Sequence, residues 1–361
     1  MKKIKICHVT SVHESTDIRI FIKECSSLAN AGYEVYLVAK GSSRKENHVN
    51  IIGIGDAPVG RRQRMTQFVK VVYEKAVSLD CDVYHFHDPE LLPYGVKLKQ
   101  SGKKVIFDSH EDVPAQIMDK YWIPWAIRGL VSSLYRYYET NAVSQFDAVI
   151  TATEYIAKQF TGRTKRIVAI KNYPKLDDIE FHNKQFEERD SIVCYAGGID
   201  INRGEQVMIK AMESIDAKLL IAGDKADFEN QHKKHITYLG RLNRKEINEL
   251  YGKSVAGLVL LLPIGNYVNS LPIKMFEYMA AGLPVIASDF DLWRKIIDEC
   301  RCGICVNPND NNQVVAAICK LLNDRKLAQE MGLNGRKCVM EKYNWKNEEE
   351  KLLSLYQELC I

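Results

Sequence analysis

The sequence predicts an α/β protein with two domains, and three observations support this. The chain has 361 residues, which is long for one hydrophobic core and comfortable for two. Apolar strand-like runs alternate with amphipathic helical segments in two blocks, the pattern of parallel βα units. A charged stretch without apolar periodicity, residues 175–190, separates the blocks as a linker. Because polar residues follow the strands in both blocks, we predict two Rossmann-like domains that face each other across a cleft.

The composition narrows the classes of function. A net charge of +4 excludes a general polycation, and we predict no nucleic-acid partner. No apolar run approaches the ~20 residues of a membrane-spanning helix, so any membrane contact should be peripheral. Ten cysteines without a signal peptide favour a cytoplasmic location, with most cysteines as small core residues. Cys300, Cys302 and Cys305 lack a second ligand pair at zinc spacing, so no metal is predicted there.

The first block opens with a βαβ unit. Its predicted elements are a strand at Ile4–Val9, a helix at Asp17–Ala31 and a strand at Glu34–Ala39. Further on, the strand Asp82–Phe86 runs into polar residues, as does the strand Val105–Phe107. The carboxyl ends of parallel strands share one edge of the sheet, where such folds bind ligands. We therefore expect the polar groups after these strands to form one rim.

The rim candidates are His13, Asp17 and Arg19 after the first strand, His87 after the second, and His110 and Glu111 after the third. The first loop has no Gly-x-Gly-x-x-Gly, which argues against a nicotinamide or flavin site. Arg19 has two interpretations that stay open here: contact with a phosphate, or a salt bridge to Asp17 or Glu24.

A metal site formed by His85 and His87 is not predicted. Residues i and i+2 of a strand share one face, and in this strand that face should belong to the core. No metal ligand is therefore assigned anywhere in the chain.

The segment Lys120–Glu139 contains two Trp, four Tyr and three basic residues. Aromatic rings beside cations suit the surface of a bilayer. The alternative is a core helix, because Leu130, Leu134 and Tyr138 repeat at i+4. The membrane interpretation predicts an acceptor delivered on a lipid, and a location at the inner face of the plasma membrane.

In the second block, a strand at Ser191–Ala196 precedes Gly197, Gly198 and, five residues later, Arg203. Small residues before a helix let a phosphate approach backbone N–H groups, and an arginine can neutralise it. The alternative for Arg203 is an ion pair on the surface.

The stretch from Asn269 to Ser288 predicts a short helix followed by a strand. Ser270 should cap the helix and Pro272 should occupy its first turn, while Gly282 should take the left-handed position that ends it. Glu277 then lies on the stripe that faces the core, where a charge needs a partner.

Two partners for Glu277 are open. One is Lys274, in a helical ion pair worth roughly 0.2–0.5 kcal/mol. The other is a set of ligand hydroxyls, with phosphate held at the N-terminus of the helix. The second interpretation fails if Glu277 is locked onto a protein cation.

The run Pro-x-Lys-x-Phe-Glu-Tyr-Met-Ala-x-Gly-x-Pro-Val-x-Ala resembles the nucleotide-sugar signature of retaining glycosyltransferases of family 4, which have the GT-B fold. The usual Glu-x7-Glu reads Asn269-x7-Glu277 here. The resemblance implies that Glu277 binds the ribose of the donor and that Asn269 faces the donor sugar. It also places Ser270, Leu271 and Ile273 at the nucleotide.

Other positions carry weaker parts of the same resemblance. Family members read Asp-x-His-Glu at Asp108–Glu111, which places His110 against the donor sugar and the scissile bond. An Arg and a Lys, five residues apart, usually bind the diphosphate; Gly198 takes the first position and Arg203 the second. The resemblance implies that Gly240 and Leu242 edge the base. With one cation missing, Arg203 either works alone or is assisted by another residue such as Arg19.

The resemblance implies a retaining, metal-independent transfer without a cofactor. The donor would be a nucleoside-diphosphate sugar, most simply a UDP sugar, and the acceptor a saccharide or polyprenol-linked saccharide for surface polysaccharide. The predicted catalytic residues are His110, Arg203 and Glu277. The predicted domains are residues 1–174 and 191–343, with a C-terminal helix at 344–361 that returns to the first domain. Two alternatives stay open: a UDP-sugar 2-epimerase of the same fold, and a catalytically silent GT-B subunit.

Overall fold

A computed structural model describes residues 3–58, 60–120, 122–181, 186–224 and 235–360, without the side chains of Arg61 and Asn266. Residues 182–185 of the predicted linker and Tyr121 of the predicted membrane segment lie outside the described residues. The chain divides into two compact units, one of Met1–Asn172 with Lys346–Ile361 and one of Tyr173–Trp345.

The first unit contains an eight-stranded sheet. Its strands are β1 (Lys5–Glu14), β2 (Glu34–Lys40), β3 (Arg44–Glu46), β4 (Val49–Gly53), β5 (Val83–Phe86), β6 (Lys104–Ser109), β7 (Ala148–Thr151) and β8 (Ile167–Ala169). The strand order is β3-β4-β2-β1-β5-β6-β7-β8. All neighbours pair in parallel except β3 and β4. The order places the ends of β1, β5 and β6 side by side, as a single polar rim requires.

Helices cover the sheet of the first unit. They are α1 (Ser26–Asn30), α2 (Arg61–Gln63), α3 (Val69–Val77), α4 (Leu92–Gln100), α5 (Val113–Asp119), α6 (Trp125–Val143) and α7 (Glu154–Phe160). Ile18–Cys25 and Arg64–Phe68 form π-helical segments, and Pro89–Leu91 a 3₁₀ turn. The first strand was predicted to end at Val9, but it runs to Glu14. Its pairing with β2 shifts register after Val9 and resumes at Glu14.

The second unit contains a six-stranded parallel sheet. Its strands are β9 (Ile192–Ala196), β10 (Lys218–Ala222), β11 (Ile236–Gly240), β12 (Ala256–Val259), β13 (Val285–Ser288) and β14 (Gly303–Val306). The strand order is β11-β10-β9-β12-β13-β14. Its helices are α8 (Glu205–Met212), α9 (Arg244–Lys253), α10 (Ile273–Ala280), α11 (Asp291–Cys300), α12 (Asn311–Asn323) and α13 (Arg325–Glu341). Leu176–Asp178, Phe186–Glu188 and Gly265–Tyr267 are 3₁₀ turns. The strands β9, β12 and β13 are buried throughout, as expected for parallel sheets covered on both faces.

The last helix, α14 (Trp345–Cys360), packs in the first unit from residue 346 onward. The Glu348 carboxylate accepts a hydrogen bond from the Lys171 N–H at 2.8 Å. The Tyr356 hydroxyl lies 2.9 Å from His85 Nδ1. Leu352 and Tyr356 are fully buried. Apolar burial and two buried polar contacts thus hold α14 in place.

Two of the ten cysteines, Cys300 and Cys338, form a disulfide between α11 and α13. The other eight are free thiols, five of them buried. Small core residues therefore account for half of the cysteines, and the disulfide was not predicted from the sequence.

Helix α6 exposes large apolar side chains. Trp125, Leu130, Leu134 and Tyr137 are 84%, 63%, 60% and 69% exposed. The alternative of a core helix, based on the i+4 repeat of Leu130, Leu134 and Tyr138, is therefore wrong. No helix in the described ranges combines the length and the apolar composition that crossing a membrane requires.

Candidate functional site

Two cations meet at the carboxyl end of β9 in the second unit. A side chain at Gly197 would place its Cβ 2.9 Å from Lys274 Nζ, and one at Gly198 would collide with the guanidinium of Arg203. Gly197 also has φ +125°, which side chains disfavour. The two glycines therefore leave room in which a lysine and an arginine approach the same stretch of backbone.

Arg203 lies just before α8. Its Nη1 donates to the Gly198 carbonyl at 3.1 Å, and its Nε lies 3.6 Å from Asp200 Oδ2. Both members of this ion pair are more than 40% exposed, and such pairs contribute at most about 1 kcal/mol. The predicted surface pair thus exists, but it is too weak to hold Arg203 away from an anionic ligand.

Lys274 is a site residue that the sequence analysis missed. It lies in the first turn of α10, and its Nζ is 3.5 Å from the centroid of the Tyr195 ring. Within the part of the chain that the structure describes, no carboxylate oxygen lies within 4.0 Å of it, so the proposed pair with Glu277 is wrong. Burial, followed by repulsion from Arg203, lowers the pKa of Lys274 to about 7. A desolvated ammonium without a carboxylate is suited to binding an anion.

One signal for Lys274 was present in the sequence. A lysine in the first turn of a helix faces the positive end of the helix dipole, which is unfavourable by a few tenths of a kcal/mol or more. A negative ligand at the same end removes that penalty.

Helix α10 begins later than predicted. Pro272 is its N-cap and offers no side-chain acceptor. The Ser270 hydroxyl donates instead to the Tyr267 carbonyl at 2.9 Å, and the Ser270 carbonyl accepts from Trp293 Nε1 at 2.7 Å. These bonds fix the backbone before the helix, so Ser270 is not its cap. Gly282 has φ +73° and ends the helix as predicted.

Glu277 has protein partners from α9. Arg244 Nη2 lies 2.9 Å from Oε1, and the Tyr251 hydroxyl donates to Oε2 at 3.1 Å. The side chain of Glu277 is 16% exposed, at the edge of the core and not within it. The expectation of a carboxylate without a protein cation is therefore wrong. Arg244 is 40% exposed and uses one N–H, so lone pairs of the carboxylate remain for other donors.

The remaining predicted nucleotide residues occupy neighbouring segments of the second unit. Asn269, Leu271 and Ile273 are half-buried around the start of α10. Gly240 ends β11 with φ +68°, and its carbonyl accepts from the Gly223 N–H at 2.8 Å. Leu242 packs at the border of the core.

In the first unit, Asp88 organises the end of β1. Its Oδ2 accepts from the Thr10 hydroxyl at 2.8 Å and from the Ser11 N–H at 2.6 Å. His13 lies between two carboxylates, 3.3 Å from Asp17 and 3.6 Å from Asp88. Although burial alone would lower the pKa of His13, these carboxylates raise it. The same contact with His13 helps to lower the pKa of Asp17 to about 2, against the effect of burial.

Arg19 is buried and engaged by protein acceptors. It is 5% exposed, binds both carboxylate oxygens of Asp108 at 3.0 and 3.1 Å, and donates to the Ile170 carbonyl. Its Nε also lies 3.1 Å from Glu24 Oε1. The salt bridge to Glu24 is therefore the correct alternative, and Arg19 as a second phosphate cation is wrong.

His110 keeps a partly exposed position on the rim. Its side chain is 20% exposed, and its Nδ1 lies 3.7 Å from Asp108 Oδ1. Burial lowers the pKa of His110 to about 3, despite the attraction of Asp108, so the imidazole is neutral near pH 7. Its ring centroid lies 5.6 Å from those of His13 and His87. His87 is only 2% exposed, so its assignment to the rim is wrong. Glu111 is exposed and bonds to Gln116.

Two family models match the chain, one in each half. Glycosyltransferase Family 4 matches residues 21–172, and Glycosyl transferases group 1 matches residues 177–338. Each model covers less than half of the chain, and together they support a GT-B glycosyltransferase of the family 4 type. The two Rossmann-like units described above are the domains of that fold.

Curated relatives match this chain in part. An uncharacterised glycosyltransferase of Methanocaldococcus jannaschii is 28% identical over 185 residues, 47% of this chain and 46% of that protein. The GDP-mannose-dependent α-(1-6)-phosphatidylinositol monomannoside mannosyltransferase of Mycobacterium tuberculosis H37Rv is 27% identical over 176 residues, 44% of this chain and 45% of that protein. The chain thus spans about half the length of these curated relatives.

Solved structures resemble this chain over its full length. The sucrose-phosphate synthase of Thermosynechococcus elongatus has a TM-score of 0.80 at 18% identity, covering 99% of both chains. Anabaena HepE in complex with UDP has a TM-score of 0.74 at 10% identity, covering 99% of this chain and 100% of that one. At these identities the resemblance concerns the fold.

Proposed function

We propose that this glycosyltransferase moves a sugar from a nucleoside-diphosphate sugar, with UDP as the nucleotide, to a saccharide or a lipid-linked saccharide. The observation that carries the proposal is the meeting of Lys274 and Arg203 beside Gly197 and Gly198. Two cations, a Gly-Gly backbone and the start of α10 together suit a diphosphate. Lys274 takes the place of the cation that the sequence analysis found missing.

The proposed reaction is a retaining transfer that needs no metal for the chemical step. The bond between the anomeric carbon and the diphosphate oxygen breaks, and the acceptor oxygen forms its bond on the same face. Negative charge develops on the leaving diphosphate, and Arg203 and Lys274 stabilise it as fixed cations. The proton of the acceptor hydroxyl leaves with the diphosphate.

Glu277 is proposed to accept hydrogen bonds from the ribose hydroxyls. The ribose either uses lone pairs that Arg244 leaves free or displaces its single bond at 2.9 Å. His110, as a neutral imidazole, is proposed to hydrogen-bond the donor sugar. Asn269 is proposed to face that sugar with an amide in place of a carboxylate.

Calorimetric titration with UDP, GDP and their sugars tests the proposal. We expect UDP to bind and acceptor-dependent transfer to follow. No binding of any nucleotide at millimolar concentration would favour the silent GT-B subunit. Turnover of UDP-N-acetylhexosamine without acceptor would favour the 2-epimerase.

The affinity for a UDP sugar should fall as the pH rises from about 6 to about 8. The pKa of Lys274 is lowered to about 7, so its ammonium loses its charge over this range, whereas the diphosphate diester does not titrate. The affinity at about pH 8 should be close to tenfold lower than that of the fully protonated protein, because about a tenth of the Lys274 side chains stay protonated. Calorimetry of the Lys274→Arg variant, which remains charged, should show a flat profile. An equal slope in both proteins would contradict this role for Lys274.

The lipid-linked acceptor and a peripheral membrane location are proposed from the exposed face of α6 and the residues before it. Trp122 and Trp125 are 51% and 84% exposed. Burying about 60 Å² of each ring is worth about 1.5 kcal/mol per ring. Trp122→Ala with Trp125→Ala should therefore reduce sedimentation with anionic vesicles by at least tenfold, while Tyr155→Ala, on another exposed surface, should not. Unchanged partitioning of the double variant would remove the membrane contact.

A further inference from the structure

Four potential metal ligands converge in the interior of the first unit. They are His8 on β1, Glu24 on the π-helical segment Ile18–Cys25, His85 on β5, and His87 directly after β5. Each is at most 2% exposed. One ligand atom from each residue can be chosen so that all four atoms lie within 4.8 Å of one another. The sequence argument against His85 and His87 was that their surroundings are core, and it did not include His8 and Glu24.

The spacing suits a small transition-metal ion. His8 Nδ1 lies 3.0 Å from His87 Nε2 and 3.9 Å from Glu24 Oε2. Tetrahedral bonds of about 2.0–2.1 Å place neighbouring ligand atoms about 3.3 Å apart. The two observed distances lie on either side of that value, so small side-chain adjustments complete the coordination.

Two of the imidazoles have a hydrogen-bond partner at the second nitrogen, and the second nitrogen of His87 faces a carboxylate. The Tyr356 hydroxyl lies 2.9 Å from His85 Nδ1 and 3.4 Å from His8 Nε2. Asp108 Oδ2 lies 3.5 Å from His87 Nδ1. This leaves His8 Nδ1, His85 Nε2 and His87 Nε2 as ligand atoms, and outer partners of this kind orient histidines at metal centres.

Some polar atoms of the four-residue cluster have no hydrogen-bond partner among the described residues. Both carboxylate oxygens of Glu24 and His85 Nε2 are buried without a hydrogen-bond partner among the described residues. Arg19 contacts Glu24 Oε1 at 3.1 Å, but it also binds Asp108. One guanidinium therefore faces two carboxylates, and the oxygens of Glu24 and His85 Nε2 keep unused acceptor positions. A bound cation would use these positions.

We propose that His8, Glu24, His85 and His87 bind one divalent transition-metal ion of the zinc type. Three imidazoles and a carboxylate are ligands that zinc accepts. Four protein ligands fill a tetrahedral shell and leave no open position, so the ion stabilises the first unit and takes no part in the transfer. The proposal is independent of the proposed donor and acceptor.

Metal analysis of the full chain tests this. The protein is purified without chelator and without a histidine tag, incubated with Zn²⁺, dialysed, and measured by plasma mass spectrometry. We expect about one zinc per chain, and X-ray absorption should show imidazole and oxygen ligands without sulfur. A content near zero in the folded wild-type protein would overturn the proposal, as would sulfur scattering from a cysteine site.

Substitutions at the proposed ligands test whether the ion binds at this cluster. Glu24→Gln with His85→Gln should lose the bound zinc, whereas His48→Asn, at an exposed histidine, should retain it. If the double variant fails to fold, Co²⁺ substitution of the wild type provides the second measurement. A tetrahedral Co²⁺ spectrum supports the site, and an octahedral spectrum contradicts it.

Discussion

Replacing Lys274 with glutamine should lower kcat about 100- to 1,000-fold, the usual effect of removing one group that stabilises charge in the transition state. The ammonium is desolvated, lies beside Gly197 and has no carboxylate partner among the described residues, so no protein carboxylate competes with the diphosphate for it. KM should change less than kcat, because charge on the leaving group grows as the bond breaks. Steady-state transfer assays measure both.

Lys295→Gln is the matched control, since Lys295 is an exposed lysine on the neighbouring helix α11. Arg203→Ala should lower kcat by a similar factor. The kcat of the variant that combines both substitutions should fall by less than the product of the two single factors, because both cations act on the same diphosphate. Wild-type turnover in Lys274→Gln would contradict the assigned diphosphate site.

Replacing Glu277 with alanine should weaken UDP binding by about 10- to 100-fold. A hydrogen bond from a ribose hydroxyl to a carboxylate is worth about 1.5–3 kcal/mol, and each 1.4 kcal/mol is a factor of ten in Kd. The loss of stability should be modest, because Arg244 is 40% exposed and can turn to water. Calorimetry gives Kd, and thermal unfolding gives the stability.

Arg244→Ala separates a ligand role of Glu277 from a structural one. If Glu277 binds ribose, removing Arg244 frees the carboxylate, and UDP affinity should stay equal or rise. If Glu277 serves only the ion pair, both variants should lower the free energy of unfolding alike and leave the Kd for UDP unchanged. That second pattern would remove Glu277 from the site.

The sequence was informative where its signals are local. The alternation of strands and helices predicted two parallel sheets, and the observed order places the ends of β1, β5 and β6 side by side, as one polar rim requires. Gly282 ended α10 as expected, because a left-handed glycine two residues before a proline is a local feature. Ser270 does not cap α10, because its hydroxyl donates a hydrogen bond to the carbonyl of Tyr267, three residues earlier in the chain.

The sequence analysis failed mainly in predicting the partners of charged side chains, because these partners come from distant parts of the chain. Arg19 pairs with Asp108, 89 residues away, and Glu277 with Arg244, 33 residues away. No spacing rule links such positions, and the sheet order alone brings them together. His87 failed for the same reason, since its burial depends on His8 from another strand.

The central claim is that Lys274 and Arg203 hold the diphosphate of the donor. A crystal structure of the protein with UDP tests it most directly. We expect phosphate oxygens within hydrogen-bonding distance of Lys274 Nζ and of the Arg203 guanidinium, at the start of α10. A bound nucleotide whose phosphates lie away from both cations would contradict the account.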